Sequence, residues 1–465
     1  MKEKIAFLKN SGIYFLGDFL SKLIIFFLIP LYSKYIPPKE FGYFDIVNAY
    51  VFILVPLFTF EIWVGMIRFI KNEKDASKIN KIITNGLLMS IFTIFFIVIG
   101  FFVNRYFLKI EYYNLICIYY FLYMVQKYYL YLCRAIDSNK NFVVSGLLNT
   151  IVTLISSYFM LVYLDMTLIS LFLSNILGFL VQIIYLEFKI KLLKRISFRL
   201  LDTNLLKELI LFSVPLCLGS ILYYFLLNYN KIIIEQILGL NANGIYAISS
   251  KFTLIILFIT SAATLAWQDL SFSIDYYKTN NLNTAKIIEK YMKIVLSSCG
   301  VIIFLIHFIF PHVINKQYFE SYSIIPLCII VAVLASIGNF ISQTLGAIKK
   351  TKIILYSSLI STIYNVIFLN FFIKNYGLNG VSMNLIITYL IIIFIRIFYL
   401  KYNHNIKINS LVLPFSLVFL FLSSYIFIIN KMIYNVIGLI ISISALSYFV
   451  LPDLLKIVSK LKNNK

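Results

Sequence analysis

The chain has 465 residues, of which 61% are hydrophobic and only 13% charged, and its mean hydropathy is +0.91. That composition excludes a soluble globular enzyme and predicts a polytopic membrane protein. The formal net charge of +22 does not indicate nucleic acid, because the basic residues gather in alternate loops between apolar segments.

A hydrocarbon core about 30 Å thick needs about 20 apolar residues per helix, and about fourteen such segments follow one another here. They run over 12 to 35, 43 to 67, 82 to 104, 112 to 134, 142 to 164, 167 to 188, 209 to 234, 244 to 267, 290 to 311, 322 to 346, 353 to 373, 378 to 399, 410 to 430 and 432 to 452. None alternates apolar and polar residues with period two, so the expected fold class is an all-α bundle and not a barrel.

The first segment follows Lys2, Lys4 and Lys9 as a signal peptide would. It lacks a small-x-small cleavage site and is too long for an h-region, so it is read as a membrane helix. Lys22 sits near its middle, with Asp18 one turn before. A charge at that depth costs roughly 2.5 to 3.5 kcal/mol, which predicts a partner, a bundle interior or a watery cavity around it. The second segment carries Pro56, with Asp45 and Glu61 near its expected ends, where water would solvate them. In the fourth, Lys127 lies among Tyr128, Tyr129 and Tyr131, so an interfacial aromatic belt competes with a site role. The seventh holds Lys231, a candidate to snorkel and pair with Glu235, and the eighth holds Lys251. Arg396 in the twelfth is expected to anchor an interface. Cys117, Cys133, Cys217, Cys299 and Cys328 all fall in apolar segments without metal-ligand or redox spacing and read as small hydrophobes.

Lysine and arginine cluster at 2 to 9, 71 to 81, 189 to 199, 278 to 286, 349 to 352 and 456 to 465, while the loops on the opposite side hold few, namely Lys39, Arg105, Lys109, Lys316, Lys374 and Lys431. The positive-inside rule then puts both termini in the cytoplasm and supports an even number of crossings. The chain also repeats itself weakly. Phe41-Gly42-Tyr43-Phe44 recurs as Asn243-Gly244-Ile245-Tyr246, Asp75-Ala76-Ser77-Lys78-Ile79 as Asn283-Thr284-Ala285-Lys286-Ile287, and Ala135-Ile136 as Ala347-Ile348. The domain division expected from this is an N-terminal six-helix bundle (1–190), a cytoplasmic basic linker (191–207), a C-terminal six-helix bundle (208–400) and an extra hairpin with a basic tail (401–465). Two repeats with even helix counts would be parallel, with a substrate site between them.

Ile29-Pro30-Leu31-Tyr32 followed by Pro38-Lys39-Glu40-Phe41-Gly42-Tyr43-Phe44, then Phe212-Ser213-Val214-Pro215-Leu216 followed by Asn241-Ala242-Asn243-Gly244-Ile245-Tyr246, resembles the openings of the two halves of a known transporter family. That family is the Wzx-type O-antigen and capsule-repeat flippases of the multidrug/oligosaccharidyl-lipid/polysaccharide exporter superfamily. The resemblance covers the first twelve segments and implies a MATE-like fold in a bacterial inner membrane. It implies flipping of an undecaprenyl-diphosphate-linked oligosaccharide to the outer leaflet by alternating access, with the bilayer and polysaccharide polymerase and chain-length machinery as partners. Flippases of other lipid-linked cell-wall precursors and multidrug exporters of the same fold remain the alternatives.

A lipid diphosphate must leave water as an anion, and fixed ammonium groups in a low-dielectric wall would hold it. Lys22 and Lys251 are the first candidates for that contact, followed by Lys127 and Lys231. Asp18, Asp45 and Glu61 are candidates for ion pairs or for H⁺ or Na⁺ coupling, with no other cofactor and no metal expected. Tyr223, Tyr224, Asn228, Tyr229 and Asn230 offer rings and polar tips suited to sugar. Pro30, Pro56 and Pro215 are candidate hinges. A polytopic glycosyltransferase, ligase or polymerase would need a long outer loop bearing catalytic groups, and no connection here exceeds roughly 25 residues.

Overall fold

The computed structural model describes residues 17, 20, 21, 23–71, 73–103, 110–271, 281–409 and 412–463. Lys22 and Asp18 lie outside the described residues. Each of the fourteen apolar segments carries helix, and no strand occurs among the described residues. In order the helices are α1 (Leu23–Tyr35), α2 (Pro38–Thr59), α3 (Ile62–Lys71), α4 (Ala76–Val103), α5 (Tyr113–Ala135), α6 (Asn139–Val162), α7 (Leu168–Ile190), α8 (Thr203–Lys251), α9 (Leu254–Ser271), α10 (Asn281–Val313), α11 (Ser321–Ala347), α12 (Thr351–His404), α13 (Val412–Ile429) and α14 (Met432–Asn463).

Helices and apolar segments do not correspond one to one. The 54 residues of α12 would extend about 80 Å if straight, far more than one crossing. Its helical geometry fails at Gly377 (φ 57°, ψ −139°), which separates the eleventh and twelfth segments. The break at Gly239 in α8 (φ 85°, ψ 173°) separates the seventh and eighth in the same way. Both backbone conformations are open to glycine and strained for other residues.

The chain divides into two compact units, Met1–Glu235 and Gln236–Lys465. In the N-terminal unit, α7 packs against α6, α5 and α2, and α3 against α4 and α5. Its apolar core includes Ile62, Met66, Ile83, Leu132, Leu186 and Leu209, all at most 1% exposed. The α5–α6–α7 interface is polar inside. Gln182 accepts from the amides of Gln126 and Asn149, both at 2.7 Å, and donates to Ser145 at 3.2 Å. Gly178 on α7 lies so close to Thr153 that a Cβ would collide with the threonine hydroxyl. Small residues and shared amide bonds hold helices together in lipid, where apolar contact alone gives little preference for a neighbouring helix. Glu40, at the start of α2, accepts from the Leu168 amide at 2.7 Å and so places a carboxylate at the α7 N-terminus.

The basic linker is tied to α4. Lys81 pairs with Asp202 at 2.6 Å, Asn85 donates to the Leu200 carbonyl and accepts from the Asp202 amide, and Thr84 accepts from the Ser197 amide. Asp202 also caps α8 by accepting from the amides of Asn204 and Leu205.

In the C-terminal unit, α11 is the central helix, packed on α9, α10, α12 and α13. Ile325, Ile329, Val333, Ile337 and Ile341 are all fully buried there, as expected of a helix apolar on every side. Arg396 is 4% exposed and does not anchor an interface as the sequence suggested. Its guanidinium donates to the Ser357 hydroxyl (2.9 Å), the Gly338 carbonyl (2.7 Å) and the hydroxyls of Ser342 (2.6 Å) and Ser358 (3.2 Å). It ties α11 to both arms of α12. Elsewhere large apolar side chains point outward, including Ile155, Phe394 and Phe415 at 63%, 70% and 71% exposed. A polytopic protein presents such faces to lipid.

Candidate functional site

The second apolar segment is not one helix. Pro56 cannot donate to the preceding turn, and its ring presses on the carbonyl four residues back. Three residues further on, α2 ends at Thr59. Phe60 (φ 48°) and Glu61 (φ 46°) then take left-handed conformations before α3 resumes. Strain at such non-glycine residues costs of order 1–3 kcal/mol each and persists where the surroundings enforce it. Part of the freed backbone is repaired by side chains. Thr59 donates to the Val55 carbonyl (2.7 Å) and the Cys217 thiol to the Pro56 carbonyl (3.2 Å).

The break opens a recess lined by Phe52, Pro56, Glu61, Trp63, Tyr123, Lys127, Tyr131 and Tyr224, with free space of about 10 Å³ for the centre of a water molecule. That is room for about one water. Glu61 is 5% exposed, with the Ser220 hydroxyl beside its carboxylate and the Lys127 ammonium acting on it electrostatically. Lys127 also lies over the Tyr123 ring, 5.1 Å from its centroid, a cation–π contact that strengthens out of water. Around the two charges, Phe52 meets Tyr123 edge-on at 5.6 Å and stacks on Tyr224 at 6.4 Å, and Trp63 meets Tyr131 at 5.7 Å. The result is one carboxylate and one ammonium inside an aromatic box. Its net charge is zero with Glu61 ionised and positive with Glu61 protonated.

The neighbouring tyrosines are not an interfacial belt. Tyr128 and Tyr129 are 3% and 5% exposed, and they donate to the Ile83 carbonyl and the Glu187 carboxylate. Asp45 is not a solvated helix end either. It is 4% exposed and pairs with Lys231 at 2.9 Å. Lys231 therefore bridges α8 to α2, and not to Glu235 on its own helix.

Of the residues expected to form a sugar wall, Tyr224 lines the recess. Asn228 and Asn230 donate to the carbonyls of Tyr224 and Leu226 in their own helix, and Tyr229 stacks on Phe225 at 4.7 Å. The side chain of Tyr223 lies outside the described residues. Pro56 precedes a break, whereas α8 stays helical through Pro215 and α1 through Pro30.

Lys251, half-buried, closes α8 in the C-terminal unit, where the eighth segment is also interrupted. There the amides of Phe252, Thr253 and Ile255 bond to carbonyls three residues back, and the hydroxyls of Ser250 and Thr253 bond to the preceding turn. Hydroxyl bonds of this kind compete with the helix and bend it. The second and the eighth apolar segments are thus both interrupted, with an ionisable residue at each interruption, Glu61 in one and Lys251 in the other. Sequence patterning missed both interruptions, although Pro56 and the Ser249-Ser250-Lys251-Phe252-Thr253 run are the signals for them.

No curated protein sequence matches the chain. Among solved structures, its fold is similar to a lipid II flippase MurJ in an inward closed conformation, at a TM-score of 0.72 and 15% identity over 97% of this chain and 100% of that one. It is also similar to a multidrug resistance MATE family transporter of the MOP superfamily in an inward-facing conformation, at 0.69 and 13% identity over 84% and 96%. Identities this low carry the fold alone. The family model described as polysaccharide biosynthesis protein matches residues 7–268, more than half of the 465 residues, and the chain belongs to that family.

Proposed function

We propose that the protein is a flippase, and not an enzyme, that carries an undecaprenyl-diphosphate-linked oligosaccharide repeat unit from the cytoplasmic to the outer leaflet by alternating access. The observation that carries this reading is the Glu61–Lys127 recess, where opposite charges and an aromatic wall meet at a helix break. Family membership and a flippase among the fold neighbours support the same reading. A diphosphate competes with Glu61 for Lys127, and a proton taken up by Glu61 leaves the ammonium to the phosphate oxygens. Rings such as Tyr224 then offer faces to sugar. Glu61 is thereby the coupling residue, and Asp45 and Lys231 serve as a structural pair. Lys22, four residues after Asp18 in the sequence, and Lys251 are further candidates for contact with the diphosphate. The setting is the inner membrane with both termini cytoplasmic, and the product is an O-antigen or capsule unit passed to polymerase and chain-length machinery.

The buried Glu61 in an aromatic box also suits an organic cation, so multidrug export is the second reading. Titrating the purified protein in detergent with a lipid-diphosphate oligosaccharide and with a quaternary ammonium dye separates the two. Loss of a charged contact costs about 1.5 kcal/mol or more, about tenfold in affinity. Lys127→Ala should weaken the diphosphate by at least that factor and leave the dye alone. Parental diphosphate binding in both Lys127→Ala and Lys22→Ala, or tight dye binding abolished by Glu61→Gln, would sink the proposal.

A further inference from the structure

A second cavity lies in the C-terminal unit, between the start of α10 and the last apolar turns of α14. It has about 780 Å³ of free space and is lined by Lys286, Glu289, Lys290 and Lys293 on one side and by Ser444, Ser447, Tyr448, Phe449 and Leu451 on the other. The three lysines fall at i, i+4 and i+7 and so share one face over two helical turns. Glu289 accepts from the Asn409 amide at 2.7 Å through one oxygen, and its single negative charge leaves the three lysines in excess. Lys293 lies over the Phe449 ring, 5.7 Å from its centroid.

Nothing in the flipping mechanism uses this cleft, which lies in the other unit from the Glu61–Lys127 recess. Its depth in the membrane follows from the two helices. The lysines precede or open the apolar stretch of α10 (290 to 311), and the α14 residues close an apolar stretch that ends at Leu451. Both walls therefore meet at one membrane–water boundary. On α14, Ile437 and Ile441 are 50% and 53% exposed and continue in line with Ser444 and with Tyr448, which is 75% exposed. An apolar track thus runs from lipid into a cationic cleft.

We propose that this cleft binds the phosphate headgroup of an anionic bilayer phospholipid, whose acyl chains rest against the exposed face of α14. Clustered lysines, a volume suited to a glycerophosphate group and an aromatic and apolar entrance from the membrane side together select an amphiphilic anion. Basic pockets between membrane helices at an interface recognise such headgroups. A free phosphate would gain nothing from the α14 track, which is why a lipid is the occupant.

The test uses the full chain in phosphatidylcholine nanodiscs containing phosphatidylglycerol, with retained lipid counted by native mass spectrometry. Each lysine near the surface contributes about a fivefold factor in affinity. The variant Lys286→Gln/Lys290→Gln/Lys293→Gln should therefore lose its retained phosphatidylglycerol, and the single exchanges should weaken it by about fivefold each. The control Lys349→Gln/Lys350→Gln/Lys352→Gln should retain it as the parent does. A phosphatidylglycerol bearing a photoreactive group near its headgroup should label 286–293 and 444–451 of the parent, which needs no variant to fold. Equal retention in the first variant and the parent, equal loss in the control, displacement by millimolar inorganic phosphate, or labelling elsewhere would each overturn the assignment.

Discussion

Removing the carboxylate of Asp45 deprives the Lys231 ammonium of the partner it pairs with inside the N-terminal unit. In the parent, Lys231 Nζ lies 2.9 Å from Asp45 Oδ1, and the two side chains are 17% and 6% exposed. Breaking a buried pair from one side costs about 3–5 kcal/mol, because the remaining charge is stranded. The partial exposure of Lys231 gives its ammonium some access to water and puts Asp45→Asn at the lower end, about 3 kcal/mol. The double variant Asp45→Asn/Lys231→Met strands nothing and should recover most of that loss, since apolar replacement of a buried pair is often neutral. In thermal unfolding of detergent-solubilised protein, about 2–4 °C per kcal/mol for a unit of this size gives a fall of about 6 °C or more for Asp45→Asn. If the pair behaved as an exposed one, both single variants would stay within about 1 kcal/mol of the parent. That outcome, or a double variant no more stable than Asp45→Asn, would refute the reasoning.

Arg396→Met removes the donors that serve Gly338, Ser342, Ser357 and Ser358. With several buried acceptors left bare, a loss of about 3 kcal/mol is expected in the same melt. Gly380→Ala drives a Cβ into the Phe372 carbonyl oxygen across the α12 break, whereas a Cβ at Gly146 meets nothing within 4 Å. Size-exclusion profiles should show loss of folded protein for the first and parental behaviour or a small gain for Gly146→Ala. At the linker, the hydrogen bond from Lys81, with help from the Leu205 amide, holds the Asp202 carboxyl below its ordinary value. The folded value is lower than the unfolded one, so the contribution is fully present above about pH 4 and is lost as pH falls through the folded value. Protection of the 197–205 amides, taken relative to their intrinsic exchange rates, should be high at neutral pH and fall only in acid. Asp202→Asn should lower that protection at neutral pH and converge on the parent in acid, where Asp202 is protonated.

The apolar segments were legible because lipid demands about twenty apolar residues wherever a helix crosses, and each of the fourteen carries helix. Where helices stop inside the membrane was not legible. Pro56 signals a weakness, but the break falls at Phe60–Glu61, and the Cys217 thiol bonds the Pro56 carbonyl that the end of the helix leaves open. Partnership was the other gap. Lys231 and Asp45 are 186 residues apart in sequence and meet only through a side-chain contact between α2 and α8, so a local reading paired Lys231 with Glu235. Lys127 shows the same limit. Its tyrosine-rich neighbourhood suggested an interface, yet the buried Tyr128 and Tyr129 donate their hydroxyls to the Ile83 carbonyl and the Glu187 carboxylate while Lys127 acts on Glu61. The excess of deep positive charge read from the sequence is thus partly compensated, because Lys127 and Lys231 have carboxylates beside them.

The central claim is tested most directly in proteoliposomes holding the purified chain and a fluorescent lipid-diphosphate oligosaccharide, with membrane-impermeant quenching reporting transfer between leaflets. A flippase of this kind should give protein-dependent transfer that excess quaternary ammonium dye does not inhibit and that Lys127→Ala slows at least about tenfold. No transfer of the lipid-linked sugar, alongside uptake of the dye by the same vesicles, would contradict it.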